Sequence, residues 1–426
     1  MDVASIEAKN RFAFSETLTS RVGVAYFVGL FVAGFLTNFI PTGGVNAGTF
    51  VLFSLASLLS VIGALDLLNP LPKHIAGAAL ATLIVSFLVA LKAALDTNPM
   101  NQRAQQVVIY FLGAWPILFF IQTKDAKIRK RFLKTLAIGL FALCAFGIIQ
   151  GIFSNSLPLR LFVLRGDQPF GIGEDEFRPT GLTGNPIIFS SIVIFASALF
   201  MALWLEKRKS RYLIALFCSL LANYLTYTRA TLFLLLPVLA SVWLLYHRLR
   251  IKYVMIAIAT LVLAVAAMQF LFLNATGLFI IQRLQGSNQE SAGSTIGHIV
   301  TIQNAWDTIV AHPLAGVGIG SQGNSVGPEN AIITDGAWWI MLLEFGVPLS
   351  LFIVLLLMLG LVPIVRYVLR QNSQNRALAI ATLAFHVYLF PANFINSGVL
   401  GHISFGLYWA LLGLSIAGAR LDQTSL

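Results

Sequence analysis

This chain is short of charge. Of its 426 residues only 11% are Asp, Glu, Lys or Arg, while 58% are hydrophobic. A soluble domain carries about 25% charged residues, so an ordinary water-soluble globule is excluded. Cysteine is almost absent. Cys144 and Cys218 both lie in apolar stretches, which argues against a disulfide framework or a thiolate metal site. Histidine is scarce too, at six residues, and there is no HExxH and no CxxC. Apart from the run Glu174-Asp175-Glu176, no DxD-like pair stands in the outward loops, so metal-dependent chemistry is disfavoured and no cofactor is expected. No cleavable leader is expected either, because residues 1–20 are polar and the apolar run after Arg21 reads as a first span.

What the chain does have is apolar runs of roughly 17 to 25 residues, the length that crosses about 30 Å of hydrocarbon as helix. The expected fold is all-α: a polytopic integral membrane protein with about twelve transmembrane helices, forming one membrane domain over residues 1–426. Spans are predicted near 22–40, 47–68, 75–95, 107–122, 135–153, 187–206, 212–228, 230–246, 253–274, 338–365, 377–397 and 400–419. Two long outward loops interrupt them, 154–186 and 275–337, the second carrying an amphipathic helix.

The net charge of +11 looks at first like a nucleic-acid signal. Its distribution excludes that reading, because 21 of the 28 Lys and Arg residues fall in alternate short loops or at the termini. Excess Lys and Arg marks cytoplasmic loops, so both termini are expected in the cytoplasm and both long loops outside. The outward loops hold six arginines, Arg103, Arg160, Arg165, Arg178, Arg229 and Arg283, and no lysine. Arginine offers a planar fork of donors suited to phosphate or carboxylate and keeps its charge in a poorly hydrated site.

Arg229 stands out. One apolar run ends at it and the next begins at once, so it occupies a tight turn at a helix end. A cation there either faces a wet functional site, where free N–H groups also attract an anion, or snorkels to headgroups. In the first long loop, Asn185 and Pro186 read as cap and first residue of the following helix. In the second, Ile299, Ile302, Ala305, Trp306, Ile309 and Val310 recur at helical spacing. They predict a helix along the membrane surface, with Trp306 as an interfacial anchor, His298 at its start and His312 at its end. His312, before a proline, reads as capping; His298 is left with a substrate role as one alternative. The glycines of residues 316–320 could bring backbone close to a ligand, but they follow no strand and make no dinucleotide site. Glu329 and Asp335 stand at the membrane surface beside Trp338 and Trp339, where a carboxylate can act as general base toward a sugar hydroxyl. The tryptophans either stack on sugars or belong to the aromatic belt. Glu344 reads as a buried pair or helix contact, and Lys92 with Asp96, four apart, as a pair.

Together these segments resemble a family. The order RPTGLTGNP, YTRATLF, WDTIVAHPLAGVGIGS and DGAWWIMLLEFGVPLS, over roughly 177–350, is similar to the bacterial O-antigen ligase and polymerase superfamily. The resemblance implies a GT-C-type glycosyltransferase of the inner membrane. Its donor would be an oligosaccharide on undecaprenyl diphosphate at the periplasmic face, and its acceptor a glycan or lipid. It implies no metal or nucleotide sugar, membrane lipids as surroundings, a chain-length regulator as a further partner, and no nucleic acid. Arg229 matches the family's arginine in the span-connecting motif, with Arg178 and Arg283 as further diphosphate ligands. Where ligases carry an arginine before the amphipathic helix this chain has His298, and where they carry a histidine before the next span it has Asp335. Those departures favour repeat-unit polymerisation over transfer to lipid A–core, with Asp335, Glu329 or His298 as the catalytic group. The rival of another class is a flippase for lipid-linked oligosaccharide. Against it, the sequence shows no internal repeat, and its polar residues gather at one outward face.

Overall fold

The computed structural model describes residues 19–32, 73–98, 116–153, 178–250, 289–321, 336–370, 376–395 and 402–424, excepting 124, 184 and 249, together with Leu59, Met100, Arg103, Gln106, Val107 and Tyr110. Every regular element among the described residues is helical. In chain order these are α1 (Thr19–Val32), α2 (Lys73–Leu95), α3 (Pro116–Phe120), α4 (Ala126–Ile152), α5 (Pro186–Lys207), α6 (Ser210–Leu225), α7 (Arg229–Tyr246), α8 (Gln289–Ala311), α9 (Ala337–Leu369), α10 (Ala377–Ala392) and α11 (His402–Thr424). Helices α4, α5, α7 and α9 are long and apolar enough to cross a membrane, and the apolar parts of α1, α2, α6, α10 and α11 are shorter. The protein is an integral membrane protein. The expected spans at 47–68 (apart from Leu59) and 253–274 lie outside the described residues.

Helix α5 is the centre of the bundle. Phe189 through Phe200 are buried without interruption, as in a helix apolar on every side. It packs against α4, α6, α7 and α10. Its start is set locally: the Asn185 side-chain oxygen accepts from the N–H of Ile187 and Ile188, and Pro186 needs no donor. The few hydroxyls inside are paired, Ser197 donating to Ser219 at 2.9 Å and Ser191 lying 2.7 Å from the Tyr388 hydroxyl.

Cross-links between helix ends establish that the basic termini share one end of the bundle. Arg376 donates to the carbonyls of Val368 and Tyr246, and the Glu206 carboxylate accepts the N–H of Ala377, joining the ends of α5, α7 and α9 to the start of α10. Burial, and then the Arg248 guanidinium, pull the Arg376 pKa below the ordinary arginine value. Arg131 donates to Ser20 and so links α4 to α1.

Helix α9 is not one straight span, as 338–365 had suggested. Gly346 has φ +74° and ψ 172°, which breaks the helix inside the apolar run. The bond from Val347 N–H to the Leu343 carbonyl is replaced by two bonds to residues after α8. Val347 donates to the Pro313 carbonyl at 2.8 Å, and Val317 donates to the Leu343 carbonyl at 2.7 Å. The break is tolerated in an apolar setting because both freed groups are re-paired. Helix α8 also differs from expectation: it begins at Gln289, so His298 lies well inside it rather than at its start. Ala305 and Ile309 bury against Leu343 of α9, while Ile299, Trp306 and Val310 form an exposed apolar stripe, Trp306 being 56% exposed.

Candidate functional site

At the end of the bundle opposite the basic cluster, α6 turns into α7 through three residues. Thr226 and Tyr227 donate to the carbonyls of Asn223 and Tyr224, and Tyr227 takes φ 50°, a left-handed conformation that reverses the chain. The side chain of Arg178, from the loop before α5, closes on this turn. Its Nε donates to the Thr226 carbonyl and its Nη2 to Thr228 Oγ1, each at 2.9 Å. Thr228 is the N-cap of α7 yet makes no side-chain cap bond, and Arg229 follows as the first helical residue, half-buried. Two guanidinium-bearing residues thus meet at the positive end of one helix. The positive end of a helix is a position that favours an anion.

The remaining sequence-derived site residues are distributed differently. Asp335, Glu329 and Arg283 lie outside the described residues, and His298 is placed only by its position along α8. The neighbour of Asp335 is defined: Gly336 packs so closely on the carbonyls of Asn393 and Phe394 that a Cβ would stand 2.7 and 2.8 Å from them. The indole N–H groups of Trp338 and Trp339 donate to the carbonyls of Phe390 and Phe394, each at 2.9 Å. Both tryptophans therefore clasp α9 to the outward end of α10. His312 follows the last residue of α8, its backbone N–H meeting the carbonyls of Thr308 and Ile309 and its carbonyl accepting from the Gly316 N–H.

Sequence reasoning missed a buried network around the glycine turn. Asp96 pairs with Lys92 at 2.5 Å, and its second oxygen accepts the Ile319 N–H at 2.6 Å. Glu344, wholly buried in α9, accepts from the Gly320 N–H at 3.0 Å and from the Tyr110 hydroxyl at 2.5 Å. Asn98 donates to the carbonyls of Val317 and Ile319. The glycines at 316, 318 and 320 all have positive φ, so the turn curls its N–H groups onto these carboxylates. The backbone of this turn serves internal pairing, where the sequence had left ligand contact open. The Lys92–Asp96 pair was expected from their spacing and is present, and the apolar position of Glu344 hinted at a buried pair; the link of both carboxylates to the glycine turn was not legible. Arg103 is engaged as well, capping the carbonyls of Ala93 and Asp96.

Below Trp338 and Asn393 an apolar cleft of about 110 Å³ opens between α2, α9, α10 and α11, lined among others by Val89, Phe345, His386, Phe405 and Tyr408. A second cleft of about 700 Å³ shares Val85, Ile353, Leu357 and Trp409 with it and reaches Arg366 near the basic end.

These features define a helical membrane protein with an arginine-bearing turn at the end opposite its basic cluster. Within it, residues 214–354 match the model of the O-antigen ligase family, a segment running from α6 past the break in α9. That match supports the resemblance of the sequence to the O-antigen ligase and polymerase superfamily, and with it a ligase- or polymerase-type function. A search of curated proteins finds no match.

Proposed function

We propose that this protein is a glycosyltransferase that polymerises repeat units carried on undecaprenyl diphosphate, working at the periplasmic face of a bacterial inner membrane. One observation carries the reading: Arg178 and Arg229, 51 residues apart, meet at the uncapped N-terminus of α7. On this reading the pair holds the diphosphate at the helix end, and the family match supports a ligase- or polymerase-type activity in general. The acceptor hydroxyl oxygen attacks the anomeric carbon as the C1–O bond to diphosphate breaks. The bond pair leaves with the diphosphate, whose growing charge the guanidiniums and helix N–H groups neutralise. The proton passes to Asp335, with Glu329 or His298 as the other candidates. Displacement from the opposite face inverts the anomeric centre, and neither metal nor nucleotide sugar takes part. The connected clefts running down from the outward end suit the polyprenyl chain, and Arg283 is a third candidate for the diphosphate.

The positive-inside pattern places both termini in the cytoplasm, in a bundle of about twelve spans. The description of the matching family as ligase keeps transfer to lipid A–core as the second reading. A deletion strain complemented with wild type, Arg229→Ala and Asp335→Ala, read by surface glycan on a gel, separates them. Polymerase function predicts loss of long chains while single repeats stay attached to core. A ligase would instead lose all core-attached glycan and accumulate long lipid-linked chains. An unchanged ladder from both mutants at normal abundance would sink the site and favour the flippase.

A further inference from the structure

The lower of the two clefts has walls that the fold leaves unfilled. Gly77, Ala81 and Val85 line it from one face of α2, each about one helical turn from the next. Gly360 of α9 and Ile416 of α11 line it as well. Small residues in membrane helices ordinarily let backbones approach closely. Here they do not: a Cβ added at Gly77 or at Gly360 would meet nothing within 4 Å. The cleft holds about 700 Å³, within the roughly 300–1,000 Å³ of ligand sites. It is open sideways, since Leu359, 56% exposed, stands on its edge. Apolar walls facing empty space forfeit dispersion contacts that a hydrocarbon chain restores.

The depth of the cleft follows from the far ends of the same helices. Helix α2 runs outward to Asp96 on the glycine turn, and α9 starts at the tryptophan clasp. The cleft lies toward the other end of both, near the cross-link of Arg376 to Val368. Arg366 is the charged residue on its wall, exposed and in no ion pair among the described residues. An apolar cleft ending at a guanidinium matches a molecule with a hydrocarbon tail and a phosphate. A polyprenyl chain entering from the outward end keeps its diphosphate there, and its uncharged tail gives Arg366 no role.

We propose that this cleft binds an anionic phospholipid of the leaflet at the basic end, cytoplasmic on the proposed topology, with an acyl chain along α2, α9 and α11 and the phosphate on Arg366. The cleft is already open, so binding requires no rearrangement of the bundle. The site does not depend on the glycosyltransferase reading.

Native mass spectrometry of the purified protein in mild detergent tests this, with phosphatidylglycerol and phosphatidylcholine of the same acyl chains as probes. Wild type should hold phosphatidylglycerol more tightly. Arg366→Gln should lose about five-fold in that affinity, the scale of one basic residue at an anionic leaflet, and bind phosphatidylcholine as wild type does. The double variant Gly77→Leu, Gly360→Leu fills the cleft; it should weaken both lipids and keep or raise Tm in lipid-free detergent. Equal affinity of wild type for the two lipids overturns the proposal. So does unchanged phosphatidylglycerol binding by either variant. Displacement by soluble glycerol phosphate would mean a headgroup site with no seated chain, and displacement by uncharged undecaprenol would give the cleft to the polyprenyl tail. A dimer that the double variant abolishes would give it to a second copy of the chain. Each of these overturns the proposal, as does failure of the double variant to accumulate, since the cleft would then be filled within the fold.

Discussion

At the scale of single residues, guanidinium geometry governs the outward end. Arg178 reaches two acceptors at once, the carbonyl of Thr226 and the hydroxyl of Thr228. A lysine is a point donor and cannot hold both in one plane. Arg178→Lys is therefore expected to lower Tm in detergent and to slow glycan transfer even where the charge is kept. Arg178→Ala should cost about 1.5–3 kcal/mol of stability, the range for hydrogen bonds to a charged group. For Arg229→Ala the expected loss is mainly in turnover, about 10²–10³-fold, the scale of removing one donor to a developing oxyanion. Timed transfer of labelled lipid-linked glycan checks this, and a residual rate within two-fold of wild type would rule out an electrostatic role. The place of Arg229 in a tight turn between two helices was legible in the sequence, because no loop separates the two apolar runs that meet there. The role of Arg178 as a strut was not, since its partners lie 48 and 50 residues away and no local spacing encodes them.

At the scale of elements, α9 and the turn after α8 act as one unit. A Cβ at Gly346 would stand 2.3 Å from the Leu314 carbonyl oxygen, and the backbone there has φ +74°. Gly346→Ala is expected to destabilise the protein by more than the about 1–2 kcal/mol of left-handed strain alone, because the turn must also retreat. Gly360, in the same helix, meets nothing within 4 Å, so Gly360→Ala should be neutral or stabilising by up to about 1 kcal/mol. Paired thermal melts decide the matter, and equal Tm values would contradict the account. Likewise Glu344→Leu strands the Gly320 N–H and the Tyr110 hydroxyl, each costing about 1–3 kcal/mol, whereas Tyr110→Phe removes one donor and leaves Gly320 paired. The larger Tm loss should follow Glu344→Leu. The sequence announced the start of α5 through Asn185 and Pro186, because capping is local. It announced neither the break at Gly346, despite the glycine two residues before Pro348, nor the embrace of the glycine turn by Asp96. Both depend on partners brought by tertiary packing, and apolar periodicity reads alike for straight and broken spans.

At the scale of the whole molecule, sidedness is the main result. The cross-links of Arg376, Glu206 and Arg131 gather the basic ends at one face, and the arginine turn, the tryptophan clasp and the glycine turn sit at helix ends opposite. With both native cysteines replaced by alanine, Leu314→Cys should react with a membrane-impermeant thiol reagent from the periplasmic side. Lys209→Cys should react only after the membrane is opened. The reverse pattern would invert the topology and move the site to the cytoplasm. The alternation of basic loops made this arrangement readable before any coordinates, because charge asymmetry is a property of composition.

The crossed bonds between the α9 break and residues 313–317 also bear on how the chain is made. Residues 313–317 leave the ribosome before 343–347, so on the proposed topology they have been translocated when α9 enters the membrane. The backbone groups opened at Gly346 then meet partners already delivered. The bend in α9 is thus built against partners that precede it in the chain, and a circular permutant that makes α9 first would offer the opened groups no such partners until residues 313–317 followed.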